Sequence, residues 1–159
     1  MVKSWEKSTE ELDRAVRKVI FRIGVVLGKE SQTIKNVLPV FKLGIGGKMG
    51  SGHQSFPFVH IDDVVGAFYW AVKNAEVHGI YNLVAPEIID NLKFTSELAS
   101  ETGRAAMFKV PAIALKLAYG EASSLLLTAP AVQPERLLKY GYRFKYPDIK
   151  SVLKEIVNR

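Results

Sequence analysis

The segment Lys18–Leu27, KVIFRIGVVL, constrains the fold more than any other stretch of the chain. It is apolar and rich in β-branched residues, it stops at Gly28, and it lacks the alternation of a half-exposed strand. Those features mark a strand covered on both faces, as in a parallel sheet flanked by helices. An α/β fold is expected. Ser31–Leu43 carries Ile34, Val37, Leu38 and Phe41 at helical spacing before Gly44, and Pro39 is expected to kink this helix or limit it to two short pieces. Asp62 is expected to cap a helix over Asp63–Asn74, whose body VVGAFYWAV is apolar nearly all round and should be buried between layers. Gly79–Ala85 reads as another buried strand. Asp90 caps a helix that carries Phe94, Leu98 and Ala99 and closes at Gly103, and Met107–Val110 reads as a short strand.

The two ends of the chain read differently. Residues 4–16 have helical spacing, with Ser8 and Glu11 placed as a capping box and Trp5 ahead of them. From Pro111 the pattern becomes helical and apolar with a break at Gly120, more like a small lid or subdomain than another sheet crossover. Pro134 starts a short helix ending at Gly141, Tyr142–Tyr146 is extended, and Asp148 caps a last helix with the stripe Ile149, Val152, Leu153, Ile156 and Val157. Two units are therefore expected, residues 1–110 and residues 111–159.

The 159 residues suit a domain able to bury a core, and a net charge of +6 would permit an acidic ligand. The 22 lysines and arginines are scattered, and the denser basic stretches are interleaved with apolar residues, which speaks against nucleic acid as a partner. There is no cysteine, so disulfides, thiolate metal sites and thiol nucleophiles are excluded. No apolar run reaches the ~18 residues of a spanning helix and the first residues lack a signal-peptide core, so no membrane partner and a cytoplasmic location are expected.

Chemistry would have to come from Gly44–Asp63, GIGGKMGSGHQSFPFVHIDD. Five glycines within nine positions cost backbone entropy and bury no side chain, so the loop is shaped for close approach. It runs into an alternating segment with Phe56, Phe58 and His60, then into the aspartates that open a helix. The loop is neither a Walker loop nor a dinucleotide fingerprint. Tyr69 and Lys73 have Tyr-x-x-x-Lys spacing, but they lie in a helix that looks core-packed, with Tyr69 expected inside and Lys73 at the surface. His53, His60 and His78 do not share ligand spacing, so no metal is expected. Asp62 and Asp63 fit a cap and a first-turn charge. No complete catalytic set is present.

Several segments taken together carry a resemblance. RIGVVLG at 22–28, GIGGKMGSGHQ followed by FVHIDD at 58–63, YNLVAPE at 81–87, PERLLKYGYRF at 134–144 and Trp5-Glu6 resemble, in order, the C-terminal half of the epimerase-like atypical extended short-chain dehydrogenase/reductases, often described as nucleoside-diphosphate-sugar epimerase-like. The resemblance implies the C-terminal part of a Rossmann-like sheet with a small substrate-side subdomain. It implies NAD or NADP as cofactor of the full-length protein, with Gly24, Val25 and Val26 at the cofactor edge and His53, Gln54 and His60 on the side of a small-molecule substrate. The family's glycine fingerprint has no counterpart here, and its catalytic Tyr-x-x-x-Lys would fall upstream of Met1. The chain is thus expected to be a fragment that holds no cofactor alone, is inactive, and self-associates through an exposed sheet edge. One departure bears on substrate: nucleotide-sugar epimerases often place an arginine phosphate clamp where this chain has Phe56. The competing reading is a non-enzymatic binding or interaction module built on the glycine loop and exposed sheet edge.

Overall fold

A computed structural model describes residues 16–106, 108–110 and 130–158. Among the described residues six strands pair two by two, all in parallel. β1 (Val19–Ile23) runs beside β5 (Gly79–Leu83) with Val19 opposite Gly79 and Ile23 opposite Leu83. β2 (Val25–Leu27) lies beside β4 (Phe58–His60), and β3 (Gly47–Met49) lies beside β6 (Phe108–Val110). The helices between them are α1 (Gln32–Lys42), α2 (Ile61–Lys73) and α3 (Asn91–Glu101), followed by α4 (Glu135–Lys139) and α5 (Ile149–Val157). This is the expected α/β arrangement.

The apolar run 18–27 is two strands rather than one. Gly24 N–H donates to the Leu83 carbonyl, while the next amide, Val25 N–H, donates to the Pro57 carbonyl, so the chain changes partners within one residue. A Cβ on Gly24 would press on the Pro57 carbonyl oxygen and the Val84 side chain. Only glycine fits at that crossing.

β2 and β4 separate two cores. Along β4 the side chains alternate, Phe58 joining Leu27, Ile34, Phe94, Leu98 and Leu153, and Val59 joining Val64, Ala67, Tyr81, Leu83 and Leu137. Each fully buried aliphatic side chain of this kind contributes roughly 1.5–3 kcal/mol. The first core is closed by α1, α3 and α5. In α1, Ser31 Oγ accepts from Ile34 N–H, and the helix runs through Pro39 without dividing, because Ile34 and Phe41 are anchored in the core on either side of the proline.

α2 departs from expectation at its start and on its surface. Its cap is His60, whose Nδ1 accepts from Asp62 N–H, rather than Asp62. Asp62 lies in the first turn and pairs with Lys145 at 2.8 Å. Val64, Ala67 and Ala71 are buried, but Val65, Phe68, Tyr69 and Val72 face outward. Among the described residues the helix is covered on one side only.

α3 and α5 follow expectation. Asp90 accepts from Lys93 N–H and Gly103 adopts φ +64 behind α3, while Asp148 accepts from Ser151 N–H and α5 buries Ile149, Val152, Leu153 and Ile156. The expected helix 4–16 with Ser8, Glu11 and Trp5, the strand residue Met107 and the apolar stretch 111–129 lie outside the described residues, Val16 excepted.

Candidate functional site

The glycine-rich stretch is occupied by its own chain. A Cβ on Gly47 would overlap the Phe108 carbonyl of the neighbouring strand, so the close approach foreseen from sequence is to β6. Gly52 sits at φ +84, where a side chain would be strained, and its carbonyl accepts from Leu92 N–H at 2.8 Å. Gln54 and Asn91 fasten the turn: Gln54 Nε2 donates to the Met49 carbonyl at 2.9 Å, and Met49 N–H donates to Asn91 Oδ1 at 2.8 Å. His53 projects outward with Nδ1 at 3.5 Å from Asp90 Oδ2. Phe56 is buried and stacked on Phe94, with ring centroids 4.4 Å apart. An apolar ring so placed cannot clamp a phosphate.

A cleft of ≈ 750 Å³ opens instead at the carboxyl ends of β2 and β4, lined by Val26, Gly28, Ser31, His60, Asp62 and Glu155 among others. Both α1 and α2 begin there. Parallel α/β sheets bind ligands at the carboxyl ends of their strands because the loops and helix N-termini converge there. His60 is 2% exposed and its ring packs on Tyr146 at 4.0 Å between centroids. Nδ1 accepts from Asp62 N–H, and the other ring nitrogen, Nε2, lies 3.3 Å from Glu155 Oε2. That pair links the sheet end to α5.

The start of α2 is held by a buried carboxylate. Asp63 accepts from Lys145 N–H at 2.6 Å and from Tyr146 N–H at 3.0 Å, and the Tyr142 hydroxyl donates to the Asp63 carbonyl at 2.7 Å. Burial, and then the Asp63 charge, push the Tyr142 phenol above its ordinary value. Read from sequence as a first-turn charge, Asp63 is a buried anchor that positions the cleft wall.

Of the residues singled out from sequence, Val26 and His60 meet on the cleft. Gly24 and Val25 lie at the partner-switching point, where their amides donate to Leu83 and Pro57, and His53 and Gln54 belong to the glycine turn. The amides of Gly24 and Val25 are engaged, and the space beside Gly24 is filled by Pro57 and Val84. Glu155, Ser31 and Asp62 complete the cleft and were not foreseen as site residues; Glu155 sits on the polar side of a helix read only for its apolar stripe. Tyr69 was expected inside, but it is exposed, with Lys73 Nζ 5.5 Å from its ring centroid. It stands about 12 Å along the axis from Ile61 at the cleft. Among the described residues no group of three His, Cys, Asp or Glu side chains is placed to hold a metal ion, and no helix is long and apolar enough to cross a membrane.

Comparison with known proteins bears on the whole chain. Residues 110–156 match a family described as a domain of unknown function, DUF1731. The human epimerase family protein SDR39U1 is 37% identical over 158 residues, an alignment covering 99% of this chain and 54% of that protein. A crystal structure of the human protein (isoform 2) with NADPH superposes with a TM-score of 0.92 at 34% identity, again over 99% of this chain and 54% of that one. A nucleoside-diphosphate sugar epimerase from Corynebacterium glutamicum gives a TM-score of 0.76 at 26% identity, over 99% of this chain and 30% of that one. This chain spans about half the length of the curated relatives it matches.

Proposed function

We propose that this chain, similar over nearly its full length to the C-terminal half of the epimerase-like extended short-chain dehydrogenase/reductases, is the substrate-side part of an NAD(P)-dependent epimerase- or oxidoreductase-like protein. The observation that carries the reading is the TM-score of 0.92 to an NADPH-bound protein of which the chain covers 54%. In this reading Gly24, Val25 and Val26 form the cofactor edge through backbone carbonyls and valine side chains. His60 contributes to the substrate side through the cleft, and His53 and Gln54 through the glycine turn. The full-length protein acts on a small molecule in the cytoplasm, and the division at residue 110 separates sheet from subdomain. The buried, stacked Phe56 supports a substrate that needs no diphosphate clamp at that position.

Alone, the chain is expected to be inactive, because a pyrophosphate needs free amides at a glycine turn and helix N-terminus. Calorimetric titration of NADPH into the isolated chain is expected to show affinity no better than about 1 mM, near −4 kcal/mol. Micromolar binding would overturn this reading. The alternative of a non-enzymatic interaction module keeps support from the exposed sheet edge but loses it from the glycine loop, whose Gly47 is used against β6.

A further inference from the structure

Among the described residues three cavities differ in the charges they carry. The cleft has Glu30, Asp62 and Glu155 beside Lys29, and a cavity at β5 and α4 has Glu135 beside Arg22 and Arg136. A groove of ≈ 530 Å³ between α3 and the β3–β6 pair has Lys48 and Arg104 and no carboxylate. It shares no residue with the cleft. One side of α3 lines it: Leu92, Thr95, Ser96, Ala99 and Ser100 lie three and four positions apart, so three hydroxyls follow one another along the groove. Thr95 is only 4% exposed, and its hydroxyl makes no hydrogen bond among the described residues. It is not sealed in, because the Tyr81 hydroxyl is the one fully enclosed side-chain polar atom left without a partner among them. A buried hydroxyl that opens only on a groove calls for a partner there.

The two cations are placed by the backbone around them. Gly103 at φ +64 lets Arg104 N–H donate back to the Ala99 carbonyl at 3.0 Å, which brings Arg104 over the last turn of α3. Lys48 is set at the other end, since the next amide, Met49 N–H, donates to Asn91 Oδ1 at the first residue of α3. Neither cation forms an ion pair among the described residues. From Leu92 to Ser100 is about 12 Å along the axis, and both side chains are long enough to meet an anion seated midway, over Thr95 and Ser96. We propose that this groove is a binding site for a phosphate monoester, its phosphate between Lys48 and Arg104 and the Thr95 and Ser96 hydroxyls donating to its oxygens. Phosphate fits because the charged lining groups are all donors, the guanidinium fork matching two oxygens at once, and no carboxylate is present to hold a cation. Leu92, Ala99 and Ala106 offer the carbon part of the ester an apolar wall. The assignment does not depend on the functional reading of the cleft.

Amide spectra of the isotope-labelled chain test this during addition of inorganic phosphate or glycerol 3-phosphate to about 20 mM, with sodium chloride of matched ionic strength as the reference. Saturable shifts are expected at Lys48, Thr95, Ser96, Ser100 and Arg104, with the monoester bound at least as tightly as free phosphate. Arg104→Gln and Lys48→Gln should each weaken binding at least about fivefold, and Lys150→Gln on the exposed side of α5 should leave it unchanged. Thr95→Val keeps the side-chain shape, removes the donor and should weaken binding about threefold, and Ser96→Ala at an exposed position repeats that measurement without disturbing the core. The absence of a saturable shift overturns the proposal, as do shifts centred on Gly28–Thr33 at the cleft, affinity unchanged in Arg104→Gln and Lys48→Gln, or a pattern that sodium chloride reproduces. Tighter binding of free phosphate than of the monoester overturns the ligand class.

Discussion

Helices α2 and α5 begin alike and end up in different surroundings. Each starts on a side chain that accepts a first-turn amide, His60 for α2 and Asp148 for α5, and each lays small or aliphatic residues against a core. On α5 the outward positions are Lys150 and Lys154, so its apolar stripe and its buried stripe coincide. On α2 the outward positions are Val65, Phe68, Tyr69 and Val72. The contrast teaches that a helix pattern records the neighbours a segment is built to meet. For α5 those neighbours lie in the first core, and for α2 the described residues cover one face only.

The largest expected effect comes from the closed side. Leu153 of α5 is fully buried beside Leu98 and Phe58, and Leu153→Ala should cost ~3 kcal/mol through lost transfer energy and a residual cavity. Chemical denaturation measures it, and a loss under about 1 kcal/mol would mean that the first core is as loose as the outer side of α2.

Next is the anchor of the inner side of α2. Asp63→Ala should cost about 2 kcal/mol, because it strands two backbone amides, while Asp63→Asn keeps one accepting oxygen and should retain part of that. Asp62→Ala should change the melting temperature little, since His60 holds the cap and the Asp62–Lys145 pair is exposed. Equal losses at 62 and 63 would return the capping role to Asp62.

Tyr142 gives the same anchor a pH signature. Its phenol is raised above the ordinary value of 10.0, first by burial and then by the Asp63 charge. A group raised by folding contributes stability that is intact below its unfolded value and lost as pH climbs toward its folded one. Alkaline titration should therefore show stability falling above pH 10. Tyr142→Phe, without the hydroxyl donated to the Asp63 carbonyl, should lose ~1 kcal/mol at neutral pH and decline less steeply in base. Parallel alkaline curves would remove Tyr142 from the account.

The smallest effect is the most telling for the comparison. Val72→Lys on the outer face of α2 should leave the isolated chain within about 0.5 kcal/mol of the parent. A marked loss would show that the face is already packed.

These contrasts also show what could be read from the chain. The caps Asp90 and Asp148, the stripe of α5 and the parallel strands were legible because short-range spacing and side-chain oxygens determine them. The split at Gly24 was not: a run of β-branched residues looks the same whether it keeps one partner or exchanges Leu83 for Pro57 midway. In HIDD the helix could have started from either of two acceptor side chains, and the contact between Asp63 and residues 145–146 has no local signal. For the site, His60 stood out by type within a motif. Glu155 could not, because its partnership with His60 spans 95 positions. Burial of VVGAFYWAV was inferred from composition, which cannot tell a face covered within the chain from one that is left open.

The Asp63 anchor has a further consequence for how the chain emerges during synthesis. Its two backbone donors lie 82 and 83 positions downstream. At about 5–20 residues per second the ribosome needs roughly 4–16 s to make that stretch. Until then the carboxylate is left to solvent, and the anchor that ties the start of α2 to residues 145–146 is missing. A nascent polypeptide arrested before Tyr142 has emerged would keep its middle third open to chaperones, and one arrested after α5 has cleared the exit tunnel would not.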